Sequence, residues 1–182
     1  MGRGDRARGI VTAAGTGRPA DELVEEVDAA GAVLGVVTRA EVRARRVRHR
    51  TVFVAVLDGP GERLLVHRRA GWKDVWPDRW DLAFGGICAV GERWADAAER
   101  ELAEEAGLAT PLMWVGSGRY EDDEVAEVAH VFTARTDDEP TCPDGEVAEL
   151  AWVAVADLPA WTAARPVVPD SVALVLPHLG AT

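Results

Sequence analysis

The sequence predicts an α+β fold, a mixed β-sheet with helices on its faces in an α-β-α sandwich. Three features point to it. Short runs rich in Val, Leu and aromatic residues, bounded by Gly, Pro and Asp, outnumber the helical stretches. The strongest helix, over residues 95–106, falls between strands rather than at one end. Two further short helices close the chain. Elements alternating in this way bury their apolar faces as layers on a sheet. At 182 residues the chain fits a single domain with a real core.

Taken in order, residues 1–20 are Gly, Arg, Thr and Ala with no sustained period. They read as a disordered tail ahead of one domain over 21–182, and the tripeptide Arg3-Gly4-Asp5 within them as chance. Residues 23–37 read as two strands around Asp28-Ala29-Ala30-Gly31. Residues 38–47 read as a short basic helix in which Thr38 and Glu41 have capping-box spacing. Its Arg39, Arg43, Arg45 and Arg46 suit a solvated face, or one that attracts phosphate. Residues 50–58 and 63–69 read as strands joined by Gly59-Pro60-Gly61-Glu62. A loop with Trp72, Lys73, Trp76 and Pro77 leads to a short strand over 80–84. Strands over 113–120, 125–135 and 148–155 follow the central helix. The first closing helix begins near Asp157, and the second takes Asp170 or Ser171 as N-cap.

Composition excludes some functions. A formal charge of −11 makes general nucleic-acid binding a poor fit, because phosphate contacts need clustered cations. Two cysteines, Cys88 and Cys142, are too few for a disulfide scaffold. No apolar run is long enough to span a bilayer, and no signal peptide is visible. The expectation is a cytoplasmic, soluble protein without membrane attachment.

The chemistry concentrates in residues 86–108. Ala, Glu, Leu and Arg favour helix over 95–106, Asp96 suits the N-terminal dipole, and Gly107 can take the left-handed conformation that ends a helix. Residues three and four apart share a helix face, so Glu101, Glu104 and Glu105 are expected to point the same way. Three carboxylates on one face are an ordinary solvated surface, or they await a cation. Hard oxygen ligands of this kind suit Mg2+ or Mn2+.

The spacing Gly86, Glu92, Arg100, Glu101, Leu102, Glu104, Glu105, Gly107, Leu108 resembles the Nudix box, G-x5-E-x7-R-E-U-x-E-E-x-G-U with U aliphatic, at every defined position. The resemblance implies a Nudix-type sandwich with a loop-helix-loop catalytic box. It also implies a hydrolase that cleaves a nucleoside diphosphate linked to another moiety, or a related diphosphate, with a divalent metal. By the same resemblance Glu101, Glu104, Glu105 and the Gly86 carbonyl are the metal ligands, Glu105 and Glu101 foremost. Glu92 and Arg100 brace the box. The general base is Glu104 or Glu105 of the box, or Glu127 on a later strand, which reads equally as the polar side of a half-exposed strand. A small-molecule diphosphate is the expected partner, and a homodimer is common among such enzymes.

Residues outside the box resemble isopentenyl-diphosphate isomerase and its hydrolase-like relatives. Thr38-Arg39 with Glu41, Arg48-His49-Arg50, residues 64–81 and Val168 to Ser171 carry this likeness. It places Arg69 and Lys73 where basic residues hold the diphosphate, a role that suits a guanidinium fork and a flexible ammonium. The isomerases' catalytic cysteine and metal-binding histidine fall here on Gly85 and Ile87, and one of their paired acidic positions on Val125. A hydrolase on an isomerase-like frame is therefore the leading expectation. An isomerase and a non-catalytic Nudix ligand-binding regulator are the alternatives. His49 reads as structural, Cys88 as a small buried residue, and Trp72, Trp76 and Trp80 as core and pocket wall.

Overall fold

The computed structural model describes residues 8–9 and 20–180. The rest of the expected tail, with Arg3-Gly4-Asp5, lies outside the described residues. Strand β1 (Arg8–Gly9) pairs with a later strand, and β2 (Leu23–Val27) and β3 (Val33–Thr38) form a separate hairpin. Helix α1 (Arg39–Arg45) follows, with Thr38 as N-cap and the Thr38–Glu41 capping box formed. Then come β4 (His49–Leu57), β5 (Arg63–Arg69), β6 (Trp80–Asp81) and β7 (Phe84–Ile87). Helix α2 (Trp94–Glu101) continues as a π-helical turn, Leu102–Ala106, and stops at Gly107 with φ 68°. Strands β8 (Leu112–Glu121), β9 (Ala126–Arg135) and β10 (Val147–Ala154) precede α3 (Leu158–Ala163) and α4 (Pro169–Leu174).

The main sheet runs β1-β10-β5-β4-β9-β8, with β6 on β5 and β7 on β4. It is mixed because β4 and β9 are parallel while the other pairs are antiparallel. Strand β4 explains the layering. Its run Thr51-Val52-Phe53-Val54-Ala55-Val56-Leu57 is buried throughout, as expected for a strand covered on both faces. Val52, Val54 and Val56 pack with Ala97, Ala98, Leu102 and Ala106 of the box helix. Phe53, Ala55 and Leu57 pack with Leu158, Trp161 and Leu174 of the closing helices. Successive side chains of a strand alternate sides, so helices cover both, and the sandwich is as expected.

Three local details differ from the sequence reading. The last helix is capped by Val168 with Pro169 at its first turn, not by Asp170 or Ser171. Proline's fixed φ suits that position, and the Asp170 side chain is left free for another use. Trp72 is exposed rather than core, whereas Trp80 packs edge-on against Trp161 at 5.3 Å. The strand expected over 80–84 is two short strands, β6 and β7.

Candidate active site

One cleft gathers residues from most of these elements. Arg39 and Arg43 of α1 stand on one side, with Lys73, Asp74 and Trp76 of the 70–79 loop. His49, Thr51 and Phe53 of β4, Asp81, and Glu127 of β9 line it further. Gly85, Gly86, Glu101, Glu105, Glu146 and Asp170 complete it. The parallel pairing that sets His49 beside Glu127 across β4 and β9 is what brings the later strand to the box.

Glu101 and Glu105 are both buried, and both line the cleft. Glu104 is not with them: its side chain is 47% exposed and lies 3.2 Å from Arg100. The expectation that three carboxylates share one face is thus corrected to two. The π turn supplies the reason, since its wider i→i+5 register keeps residue i+4 above residue i but carries i+3 away.

Arg100 holds the box together. Its Nε and Nη2 donate to the two Glu92 oxygens at 2.9 and 2.8 Å. Its Nη1 reaches Glu101 at 2.6 Å, and Nη2 donates to the Ile87 carbonyl at 3.3 Å. The Glu92 hydrogen bonds are the largest cause holding this guanidinium above its usual pKa. Glu92 also accepts from the Ala89 amide at 2.8 Å, which ties the loop to the helix. Gly86 leaves room for Glu101: a Cβ there would lie 2.9 Å from its carboxyl, which would have to shift.

Glu105 accepts from the Gly85 amide at 2.9 Å, and Lys73 Nζ stands 3.6 Å from it while also pairing with Glu146. Burial raises the Glu105 pKa well above the ordinary value, Lys73 opposes this, and Glu101 and Glu146 add to it. Arg69 pairs with Asp81 at 3.3 Å and donates to the Val75 carbonyl at 3.1 Å. Arg39 and Arg43 line the cleft and bracket Asp74 at 3.7 and 2.8 Å. Burial pushes Glu127 up to about 7 and raises Asp170 well above the ordinary carboxyl value, where the charges of Glu127 and Asp81 add to it.

Sequence reasoning missed Asp74, Asp81, Glu146 and Asp170. Asp74, Asp81 and Asp170 fall inside the stretches that carry the isomerase likeness, which was the available signal. Among the described residues, no three His, Cys, Asp or Glu side chains converge as a finished metal cage.

Two buried histidines make a test of the packing. His49 Nδ1 donates to the Val47 carbonyl, 2.9 Å away, and His67 stacks on Phe84 at 4.6 Å. Burial lowers both to about 4. The unfolded chain takes up a proton near pH 6.5 and the folded one only near 4, so each histidine removes stability as pH falls through that window. Replacing His67 by Gln is expected to remove about 2 kcal/mol of the stability difference between pH 7.5 and pH 5. Urea denaturation of both proteins at both pH values checks it; identical pH dependence would show that His67 is not held neutral.

Comparison with known proteins agrees with this architecture. The NUDIX domain family matches residues 47–171. A Yersinia pestis protein named as an uncharacterized Nudix hydrolase is 32% identical over 133 residues, 72% of each chain. A Streptomyces coelicolor protein of the same description is 44% identical over 88 residues, 48% of each chain, so that match spans about half of the relative. Among solved structures, a Deinococcus radiodurans protein superposes with TM-score 0.76 at 21% identity, over 87% of this chain and 99% of the other. The Nudix domain of Shewanella oneidensis NrtR, solved with ADP-ribose, gives 0.59 at 17% identity, over 78% of this chain and 96% of that one. No helix among the described residues is long and apolar enough to cross a membrane. The chain belongs to the Nudix family.

Proposed function

We propose that this protein is a Mg2+- or Mn2+-dependent hydrolase that opens a diphosphate linkage by attack of water. Its main support is the pair of buried carboxylates, Glu101 and Glu105, set in one cleft with Arg69 and Lys73.

The residues fit a divalent ion. The donors are hard oxygens, and the Gly86 cradle keeps a side chain out of the space beside Glu101. Lys73 supplies the positive charge now placed between Glu105 and Glu146, where the carboxylates crowd. Mg2+ needs only one or two carboxylates, completing its shell with water and substrate phosphate, so a finished cage is not required. Glu101 and Glu105 would hold the ion, with Glu104 swinging in from Arg100 and the Gly86 carbonyl beside them. When bound, the ion neutralises phosphate oxygens and the charge that develops during cleavage.

The chain's own groups supply the rest. Arg69 and Lys73 hold the diphosphate, and Arg39 and Arg43 extend the cationic wall. Glu105, buried and raised, takes the proton from the attacking water. Glu127 is the other carboxyl on that wall able to do so, and separate Gln variants of the two distinguish them. Arg100 holds Glu101 in place. The Shewanella relative was solved with ADP-ribose, which is itself a diphosphate ester.

Gly85 weighs against isomerase chemistry. A Cβ at that position would lie 1.9 Å from the Val52 carbonyl oxygen, so a cysteine cannot be accommodated without moving backbone. Gly85→Ala is expected to destabilise the fold by about 3 kcal/mol, as forced overpacking does. Thermal or urea unfolding reads this out, and a variant as stable as the parent would reopen the isomerase reading. The functional test is a panel of nucleoside triphosphates, nucleotide sugars, dinucleoside polyphosphates, NADH and isopentenyl diphosphate with Mg2+. Phosphate release that requires the metal supports a hydrolase; no release from any member, with Mg2+ bound, favours a ligand-binding regulator.

A further inference from the structure

The loop of the box is also gripped from outside the box. Glu25 of β2 is 8% exposed, and its two oxygens have different partners. Oε1 accepts from the Gly91 amide at 2.9 Å, across 66 residues of chain. Oε2 lies 2.8 Å from Nη2 of Arg50, the second residue of β4. That same nitrogen donates to the Glu92 carbonyl at 2.8 Å, and the Arg50 carbonyl accepts from the Cys88 amide at 2.9 Å. The guanidinium stands 5.0 Å from the ring centre of Trp94, which opens α2. Together these contacts fix the main chain of the loop at Cys88, Gly91 and Glu92, whereas Arg100 holds it by the Glu92 side chain and the Ile87 carbonyl.

The hairpin is patterned for this contact. Val36 stands directly across from Glu25 and is 49% exposed. An acid covered and an aliphatic left open reverse the ordinary order of a hairpin face. A buried ion pair also adds little stability in itself. Packing alone therefore does not account for a carboxylate at this position, whereas a need to place the loop does.

Resting on the hydrolase reading, we propose that Glu25 and Arg50 are positioning residues that keep the metal-binding carboxylate Glu101 in register. The route is short. The clamp sets the main chain at Glu92, the Glu92 carboxylate takes Arg100 at 2.9 and 2.8 Å, and Arg100 Nη1 reaches Glu101 at 2.6 Å. Outer partners of a metal ligand typically change metal affinity or rate by 10–100-fold. This clamp is a step further out, so its effect is expected at the lower end.

The test is Mn2+ binding by the full chain without substrate, read from the electron paramagnetic resonance signal of the free ion. Glu25→Gln and Arg50→Lys are each expected to weaken Mn2+ about tenfold. With a substrate from the panel and saturating Mn2+, kcat is expected to fall about tenfold and KM to stay within about twofold. Val24→Ala is the control, because Val24 packs the other face of the same hairpin against Val42, Val47 and Ile87. It is expected to lower the urea midpoint yet leave Mn2+ affinity within about twofold. Unchanged Mn2+ affinity in the clamp variants would overturn the proposal. So would an equal loss in Val24→Ala, which would reduce the clamp to a support of the fold. A parent that binds no Mn2+ overturns this proposal and the hydrolase reading together. Weakened Mn2+ in the clamp variants of a protein that hydrolyses nothing in the panel leaves the clamp standing and defeats the hydrolase reading. Metal-dependent hydrolysis with Mn2+ affinity untouched by either variant does the reverse.

Discussion

Glu105→Gln is expected to lower kcat by about 10³-fold while leaving the fold at least as stable as the parent. The two halves of this result have one cause. Glu105 is buried beside Glu101 and Glu146 with a single ammonium, Lys73, in reach, and burial is the chief reason its pKa is raised. Without metal the folded protein carries a strained ionisable group there. A neutral amide of the same shape relieves the burial of charge, yet cannot take a proton from water or ligate an ion as a carboxylate does. Steady-state kinetics and urea denaturation in chelator read the two effects separately. A variant that loses stability and activity together would make Glu105 a structural residue instead.

Arg100→Ala is expected to cost about 3–5 kcal/mol of stability and to abolish turnover, because it strands a buried carboxylate. Glu101 is 1% exposed and Arg100 stands 2.6 Å from it, so losing the guanidinium removes a close counter-charge from a buried carboxylate. The same variant cuts the Glu92 fork that joins the loop to the helix. Pairing it with Glu101→Gln should restore a substantial part of the loss, since the stranded charge is then gone. A single-variant cost below about 1 kcal/mol, the range of an exposed pair, would show the network to be surface decoration.

Much of this was legible in the sequence because it is local. The capping box of Thr38 and Glu41, the Gly107 stop and the brace of Glu92 on Arg100 all follow from fixed short spacings. The two-sided burial of β4 follows from its unbroken apolar run. What could not be read is set by register and long-range closure. Glu104 leaves the face of Glu101 and Glu105 because the helix widens into a π turn, which no propensity of Leu102–Ala106 announces. Asp170 reaches the cleft because Pro169 starts the helix and relieves it of capping. Glu146 meets Lys73 across 73 residues of chain, a contact that only the folded sheet creates. Arg39 and Arg43 looked like any basic helix face until Asp74 was placed against them.

Whether water attacks a diphosphate in this cleft is decided by turnover in oxygen-18 water. With Mg2+ and a substrate found in the panel, one labelled oxygen is expected in a phosphate product for each linkage cleaved, and none when the metal is chelated. Conversion of isopentenyl diphosphate to an isomer with a shifted double bond, with no label in any phosphate, would contradict hydrolysis.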